Sequence, residues 1–175
     1  TNWTYQQEPD SIVWVVRSDG VLTGMTYQRG ENVVAWHRHI LGGAFSGGDA
    51  VVESVAAISN STASSKGEDT LYMIVKRTIN GGTKRYIEYL QPFDFGSNIE
   101  DAWFLDSGLL YSGGATTSLS GLDHLEGQTV SILANGATHA DKVVSSGAIT
   151  LDRSATKAIV GLKYTSKLQT MRIGS

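Results

Sequence analysis

Two histidines have the spacing that comes closest to a metal-binding or catalytic arrangement. His37 and His39 flank Arg38 in an apolar run, and residues two apart on a strand point to the same side of a sheet. Two imidazoles on one side could share a zinc or copper ion. Catalytic zinc usually has three protein ligands, and only a tertiary contact could add the third, for which the candidates are His124, His139, Glu53 and Asp49. The alternative is a strand edge facing solvent or a partner subunit, and we therefore predict no metal site and no cofactor.

Other catalytic motifs are incomplete. The glycine-rich stretch 42–48 lacks the Lys-Ser/Thr of a phosphate-binding loop, and its serine is misplaced for a nucleophile elbow. The chain has no cysteine, which excludes thiolate nucleophiles, disulfides, zinc-thiolate sites and iron-sulfur clusters. We predict no catalytic residues and expect that the protein is not an enzyme.

Basic residues gather on both sides of one predicted hairpin turn. Lys76-Arg77 and Lys84-Arg85 are cross-strand neighbours there, so they could form a patch for phosphate or for an acidic subunit. The favoured alternative is an ordinary paired face, because Glu68, Asp69 and Glu88 lie nearby in sequence. With a net charge of -3, the chain has no general basic field, and tight DNA binding is not expected.

Aromatic residues recur inside the apolar runs. Exposed together they would form a platform for a carbohydrate, but their positions favour burial in the core; they are Trp14, Trp36, Tyr72, Tyr86, Tyr89 and Trp103. Carbohydrate binding is kept as the rival function.

Short β-branched and aromatic runs separated by turn residues predict an all-β fold. Four antiparallel strands of one sheet are expected, followed by a polar stretch at 59–67 and a further hairpin; the four strands are 12–17, 21–28, 33–40 and 50–58. The segments 10–17 and 69–76 are alike, each with an acid, an apolar run and a base. Repeated small sheets of this kind are typical of propeller blades.

The pattern of predicted elements changes near Gly113. One helical turn capped by Ser120 and ended by Gly127 is expected at 120–127, followed by short strands at 129–134, 142–144, 148–151 and 157–162. We therefore predict an incomplete propeller-like region of antiparallel sheets at 1–112 and a small β-barrel at 113–175. The chain contains no apolar run of membrane-spanning length, and its start at Thr1 rather than Met leads us to expect a piece of a longer protein.

Three groups of segments carry more than a strand pattern: 12–20 with 25–27 and 33–39, 72–81 with 84–88, and 122–136 with 160–166. Together they resemble the C-terminal part of the tail tubular or nozzle proteins of short-tailed bacteriophages. The third group is similar to a small β-barrel also found in ubiquitin-activating enzymes, although the absence of cysteine means that only the fold carries over. The family often has Pro-Tyr after position 162, where this chain has Lys163-Tyr164.

The resemblance implies a structural role in the virion. Proteins of this kind assemble as a ring, commonly six-fold, and line the path by which DNA leaves the tail. The expected partners are other tail proteins and copies of the full-length protein, with DNA passing without specific binding and no membrane association. The alternative function is a phage-derived module that recognises a host surface carbohydrate or receptor.

Overall fold

A computed structural model describes residues 2–59 and 67–169, and within them the chain is all-β, as predicted. A first sheet has the order β1-β2-β3-β4 and is an antiparallel meander of β1 (Asn2–Gln6), β2 (Ile12–Val16), β3 (Leu22–Gln28) and β4 (Val33–His39). A 3₁₀ turn at Arg29–Glu31 joins its last two strands. A two-stranded hairpin follows, formed by β5 (Ala44–Phe45) and β6 (Gly48–Asp49).

The second sheet is also an antiparallel meander, but it has three strands. It consists of β7 (Val51–Ser59), β8 (Asp69–Ile79) and β9 (Gly82–Tyr89). Asn80 and Gly81, both at positive φ, form the tight turn that joins β8 to β9, as their sequence predicts. Most of the predicted polar stretch at 59–67 lies outside the described residues.

One strand of the first sheet was predicted wrongly. The segment 50–58 was predicted as its fourth strand, whereas the fourth strand is β1, which pairs with β2 at the edge opposite β4, and β7 pairs with β8. The reason lies in side-chain contacts over a long sequence separation. The backbone amides of Val55 and Ala57 donate to Asn2 Oδ1 and Thr4 Oγ1 at 2.7 and 3.0 Å, so β7 lies beside β1 without joining its ladder.

The two sheets share one hydrophobic cluster. The resembling segments 10–17 and 69–76 fill equivalent places in it, because Trp14 and Val16 of β2 and Met73 and Val75 of β8 are all buried there. In both segments these buried residues alternate with outward-facing ones, which is the two-residue period expected of strands. The sequence repeat therefore reflects core positions in two successive sheets.

The C-terminal sheet has the order β10-β13-β11-β12 and a hydrophobic cluster of its own. Its strands are β10 (Asp106–Ser120), β11 (Thr129–Ala134), β12 (Ala137–Val143) and β13 (Ala148–Leu162). The expected separate strands 148–151 and 157–162 are one strand, β13. The expected helical turn at 120–127 is a 3₁₀ turn at Asp123–Leu125 without a side-chain cap, and Ser120 instead ends β10. A further 3₁₀ turn lies at Ile99–Asp101.

The predicted barrel does not close within the described residues. β12 approaches the first half of β13, but side chains replace the backbone ladder there: His139 Nε2 accepts the Asp152 amide at 2.8 Å, and Arg153 donates to the carbonyl oxygens of Ala137 and Thr138. Because these side chains bridge β12 and β13, the C-terminal sheet curls but its backbone hydrogen bonds do not form a closed barrel.

The predicted boundary near Gly113 falls inside β10, whose pairing with β13 already begins at Asp106. The division into 1–112 and 113–175 stays a prediction. A direct link between the regions is the Gly42 amide, which donates to Asp106 Oδ2 at 2.6 Å. No helix of the described residues is long and apolar enough to span a membrane.

Candidate functional site

The two histidines singled out as metal ligands lie on the inner side of the first sheet, against Trp14. His37 Nδ1 and His39 Nε2 are 2.8 Å apart and share a hydrogen bond, while the Trp14 ring centroid is 5.4 and 5.2 Å from theirs. Gly24, paired with His37 across the sheet, makes room for this packing, because a Cβ on it would lie 2.2 Å from His37 Cε1. Facing nitrogens at hydrogen-bond distance leave no space for an ion between them.

Burial disfavours the charged form of both imidazoles. Desolvation lowers the pKa of His37, and desolvation together with the neighbouring His37 lowers the pKa of His39 to about 4. Both rings are therefore neutral near pH 7, and the pair is a partly buried, hydrogen-bonded element packed against Trp14.

The suggested third ligands lie elsewhere. His124 Nε2 is 2.9 Å from the Ser107 carbonyl oxygen, and His139 contacts the Asp152 amide. Within residues 2–59 and 67–169, no three His, Asp or Glu side chains form a group that could hold a metal ion.

The predicted basic hairpin is divided between the core and the surface. Arg77 is fully buried, where its Nε donates to the Gly42 carbonyl oxygen at 2.7 Å and its guanidinium pairs with Glu88 through two nitrogens. Since a buried guanidinium needs partners for its charge and its donors, this arrangement explains the arginine at position 77.

Two more of the four hairpin cations share a carboxylate that sequence reasoning missed. Arg85 and Lys76 both pair with Glu53 of β7, at 2.7 and 3.0 Å, and these two bases lower the pKa of Glu53 to about 2. Glu53 was overlooked because β7 was assigned to the first sheet. The favoured paired face is therefore present at Lys76 and Arg85, with Glu53 as its acid instead of Glu68 or Asp69.

The outer face of the first sheet is apolar and accessible. Strand register brings together two cross-strand rows, one formed by Trp3, Val15, Thr23 and Arg38 and the next by Tyr5, Val13, Met25 and Trp36. Tyr27 and Val34 extend the face beyond the second row. Trp3 and Trp36 are exposed by 66% and 64%, too much for core residues. The face therefore carries exposed aromatic rings on both edge strands with largely aliphatic residues between them, and exposed apolar patches of this kind are common at interaction sites.

One corner of that face forms a groove of about 540 Å³, which we call the corner groove. It is lined by Val15, Arg17, Thr23, Trp36 and Arg38 together with His37. The Thr23 hydroxyl is buried and has no hydrogen-bond partner. Arg17 pairs with Asp19 at 2.7 Å, whereas Arg38 makes no hydrogen bond or ion pair with any described residue. The corner groove therefore combines an indole, an unpaired guanidinium and an unsatisfied hydroxyl.

Sequence reasoning identified only part of this aromatic surface. Of the six aromatics considered, Trp14 is buried, Trp36 and Tyr89 are exposed, and the remaining three are half-buried. Trp3 and Tyr5 were missed because the start of the chain was not assigned as a strand. The alternation of Trp3 and Tyr5 with polar neighbours was the signal that could have located them.

A second cavity, of about 760 Å³, lies between the N-terminal sheets and the C-terminal sheet. Tyr86, Glu88, Asp106 and His124 are among its lining residues, but each already has a structural contact. Burial raises the pKa of Asp106, whose carboxylate accepts the Gly42 amide. The lining of the cavity mixes polar and apolar side chains, and two of its contacts, Tyr86 with His124 and Asp106 with the Gly42 amide, join the two regions.

The fold and these surfaces define an all-β protein with an accessible aromatic sheet face. The chain matches no model of a known protein family, and no curated protein is significantly similar to it.

Proposed function

We propose that this chain is a structural, non-enzymatic component of a bacteriophage tail of the tubular or nozzle kind, contributing to a ring-shaped channel for DNA exit. The segments that resemble this family form the framework of all three main sheets, since they include β2 to β4, most of β8 and β9, and β11 with the end of β13. In this proposal the protein is located in the virion tail. Its partners are other tail proteins and, in the full-length protein, its own copies.

The observation that carries the proposal is the open edge of the second sheet. That sheet ends with β9, whose outer edge is unpaired in the described residues. Ile87 and Tyr89 on β9 are exposed by 77% and 53%. An open edge with exposed apolar residues suits a strand from a neighbouring polypeptide. A component of a ring needs surfaces of this kind, because head-to-tail interfaces close into rings.

The charge of the chain supports passive passage of DNA. With a net charge of -3 and three of the four hairpin cations, Lys76, Arg77 and Arg85, engaged by carboxylates, the chain has little with which to hold a phosphate backbone.

Labelling of virions tests the location. Gold-conjugated antibodies raised against this chain should decorate phage tails in electron micrographs, and the full-length protein should form ring particles. Ile87→Lys should reduce ring formation, because it replaces an exposed apolar side chain of the open edge with a charge, while the matched control Thr83→Lys, which replaces a polar residue beside the turn at the start of the same strand, should not. Particles whose tails remain unlabelled, although capsid antibodies bind, would contradict the proposal.

Recognition of a surface carbohydrate is the second candidate function. It is favoured by the exposed Trp3 and Trp36 and by the corner groove beside Trp36. Binding to a glycan array, lost in Trp36→Ala while the circular dichroism spectrum is unchanged, would support it over a purely structural role.

A further inference from the structure

We propose that the corner groove binds a sugar that carries a carboxylate, of the uronate or sialate class. The inference rests on the second candidate function, recognition of a carbohydrate, and is independent of the tail assignment. Three features of the groove carry it: an exposed indole, an unpaired guanidinium and a buried hydroxyl without a partner.

The Trp36 indole provides the flat surface. It projects from the edge strand β4 with 64% of its surface exposed, and its neighbour across the sheet, Met25, is apolar and half-buried. The C–H face of a pyranose ring packs on such an indole and removes apolar area from water on both sides. Trp3 lies on the opposite edge strand, roughly 14 Å away across three strand spacings, so the face can contact more than one sugar unit.

Arg38 and Thr23 provide the polar recognition. They face each other in the register of β3 and β4, one residue row from Trp36. A guanidinium binds a carboxylate with two parallel hydrogen bonds, and Arg38 has no such partner within the described chain. The Thr23 oxygen beside Arg38 is buried without a hydrogen bond, and rotation of its side chain would bring it to a sugar hydroxyl, which would then satisfy it.

The charge of the face selects an anion. The outward positions of the four strands carry Arg38 and no acidic residue, and Arg17 follows directly after β2, although the whole chain has a net charge of -3. Asp19, in the turn after β2, pairs with Arg17. This corner is therefore a local positive site on an acidic protein.

Two other ligand classes fit less well. Single-stranded DNA binds along a continuous positive track, and this face has only two arginines, one of them paired. An apolar protein surface would bury Arg38 and the Thr23 hydroxyl without partners, which is unfavourable.

The test uses isothermal titration calorimetry with oligogalacturonate, its methyl ester, N-acetylneuraminic acid and an oligo(dT) strand, preceded by an array of neutral and acidic glycans. The variants are Trp36→Ala, Arg38→Gln and Thr23→Val. The matched control is Arg29→Gln, which removes the same charge from the 3₁₀ turn at the other end of β4. Circular dichroism confirms that each variant is folded.

We expect binding of at least one carboxylated sugar, with the uronate and sialate probes showing which class it is. Esterification should weaken uronate binding at least tenfold. Trp36→Ala and Arg38→Gln should each weaken binding about tenfold or more and Thr23→Val about fivefold, while Arg29→Gln leaves it unchanged.

Several outcomes would overturn the inference. Equal affinity for acid and ester, or binding of neutral glycans only, would contradict the preference for an acidic sugar but would still support carbohydrate recognition. Binding of no glycan at all would contradict both proposals. Equal losses in Arg29→Gln and Arg38→Gln would indicate diffuse attraction of anions, and Trp36-dependent binding of oligo(dT) alone would indicate a nucleic-acid site.

Discussion

The N-terminal sheets and the C-terminal sheet bury their apolar residues in different ways. Among the described residues, the C-terminal cluster takes thirteen buried residues from the 44 positions 119–162, whereas the N-terminal cluster takes ten from the longer span 14–75. The C-terminal strands curl around their own core. The N-terminal sheets leave an aromatic face and an open edge at β9 uncovered. The comparison teaches that a dense core can form within one short stretch of the chain, whereas the longer N-terminal stretch leaves aromatic rings exposed.

The largest expected effect concerns the buried ion pair in the N-terminal region. Arg77→Ala removes a buried cation and leaves Glu88 and the Gly42 carbonyl oxygen without their partner. We expect a loss of about 3–5 kcal/mol in the free energy of unfolding, measured by urea denaturation. Arg85→Ala is the control from the same hairpin. Its guanidinium is in solvent, so we expect little change, and equal losses in both variants would refute the distinction between them.

A cavity in the C-terminal core tests whether that region depends on its own packing. Leu125 is fully buried in the 3₁₀ turn before β11, and Leu125→Ala should cost about 3 kcal/mol by denaturation. Leu110→Ala, at a half-exposed position of β10, should cost much less. Comparable losses of stability at the two sites would show that Leu125 is not packed in the core of this region.

The histidine pair makes the N-terminal region sensitive to acid. Because the folded pKa of His39 lies near 4, below its ordinary value of 6.5, the contribution of His39 to stability is fully present above pH 6.5 and is lost as pH falls toward 4. His37 shifts in the same direction. Relative to His39→Gln, the native protein should lose roughly 2 kcal/mol between pH 7 and pH 5. Parallel pH profiles for the two proteins would contradict this.

The smallest loss of stability is expected at the contact between β12 and β13, where the C-terminal sheet does not close. His139→Phe keeps a ring in the gap but removes the acceptor for the Asp152 amide, and we expect a loss of about 1 kcal/mol. Hydrogen exchange at that amide should accelerate. Thr138→Ala, an exposed neighbour on β12, provides the control, and unchanged exchange in His139→Phe would show that the amide has another partner.

Local patterns predicted much of the fold. The all-β class, the tight turns at Asn80-Gly81 and Asn135-Gly136 and most strands follow from alternation and turn chemistry, since these depend on neighbouring residues. The start of the chain was missed as a strand because β1 is short and mixes polar with aromatic residues. The expected split of β13 was wrong because Ala155 stays paired with Thr116 and buried in the cluster.

The candidate site was less predictable. Trp36 lies in an apolar run like that of Trp14, yet one is exposed and the other buried, because they face opposite sides of the same sheet. The unpaired state of Arg38 and the burial of the Thr23 hydroxyl depend on which strands surround them.

By itself, the sequence determined the class of fold, the absence of cysteine chemistry and the tight turns, because these follow from composition and short-range geometry. Only the tertiary structure decided that β7 belongs to the second sheet and that the C-terminal sheet stays open at His139. It also decided that Arg77 is buried and Arg85 is not, and that Trp3 and Trp36 share one accessible face. The physical reason is that each of these outcomes depends on contacts between residues distant in the chain, which strand alternation alone does not specify.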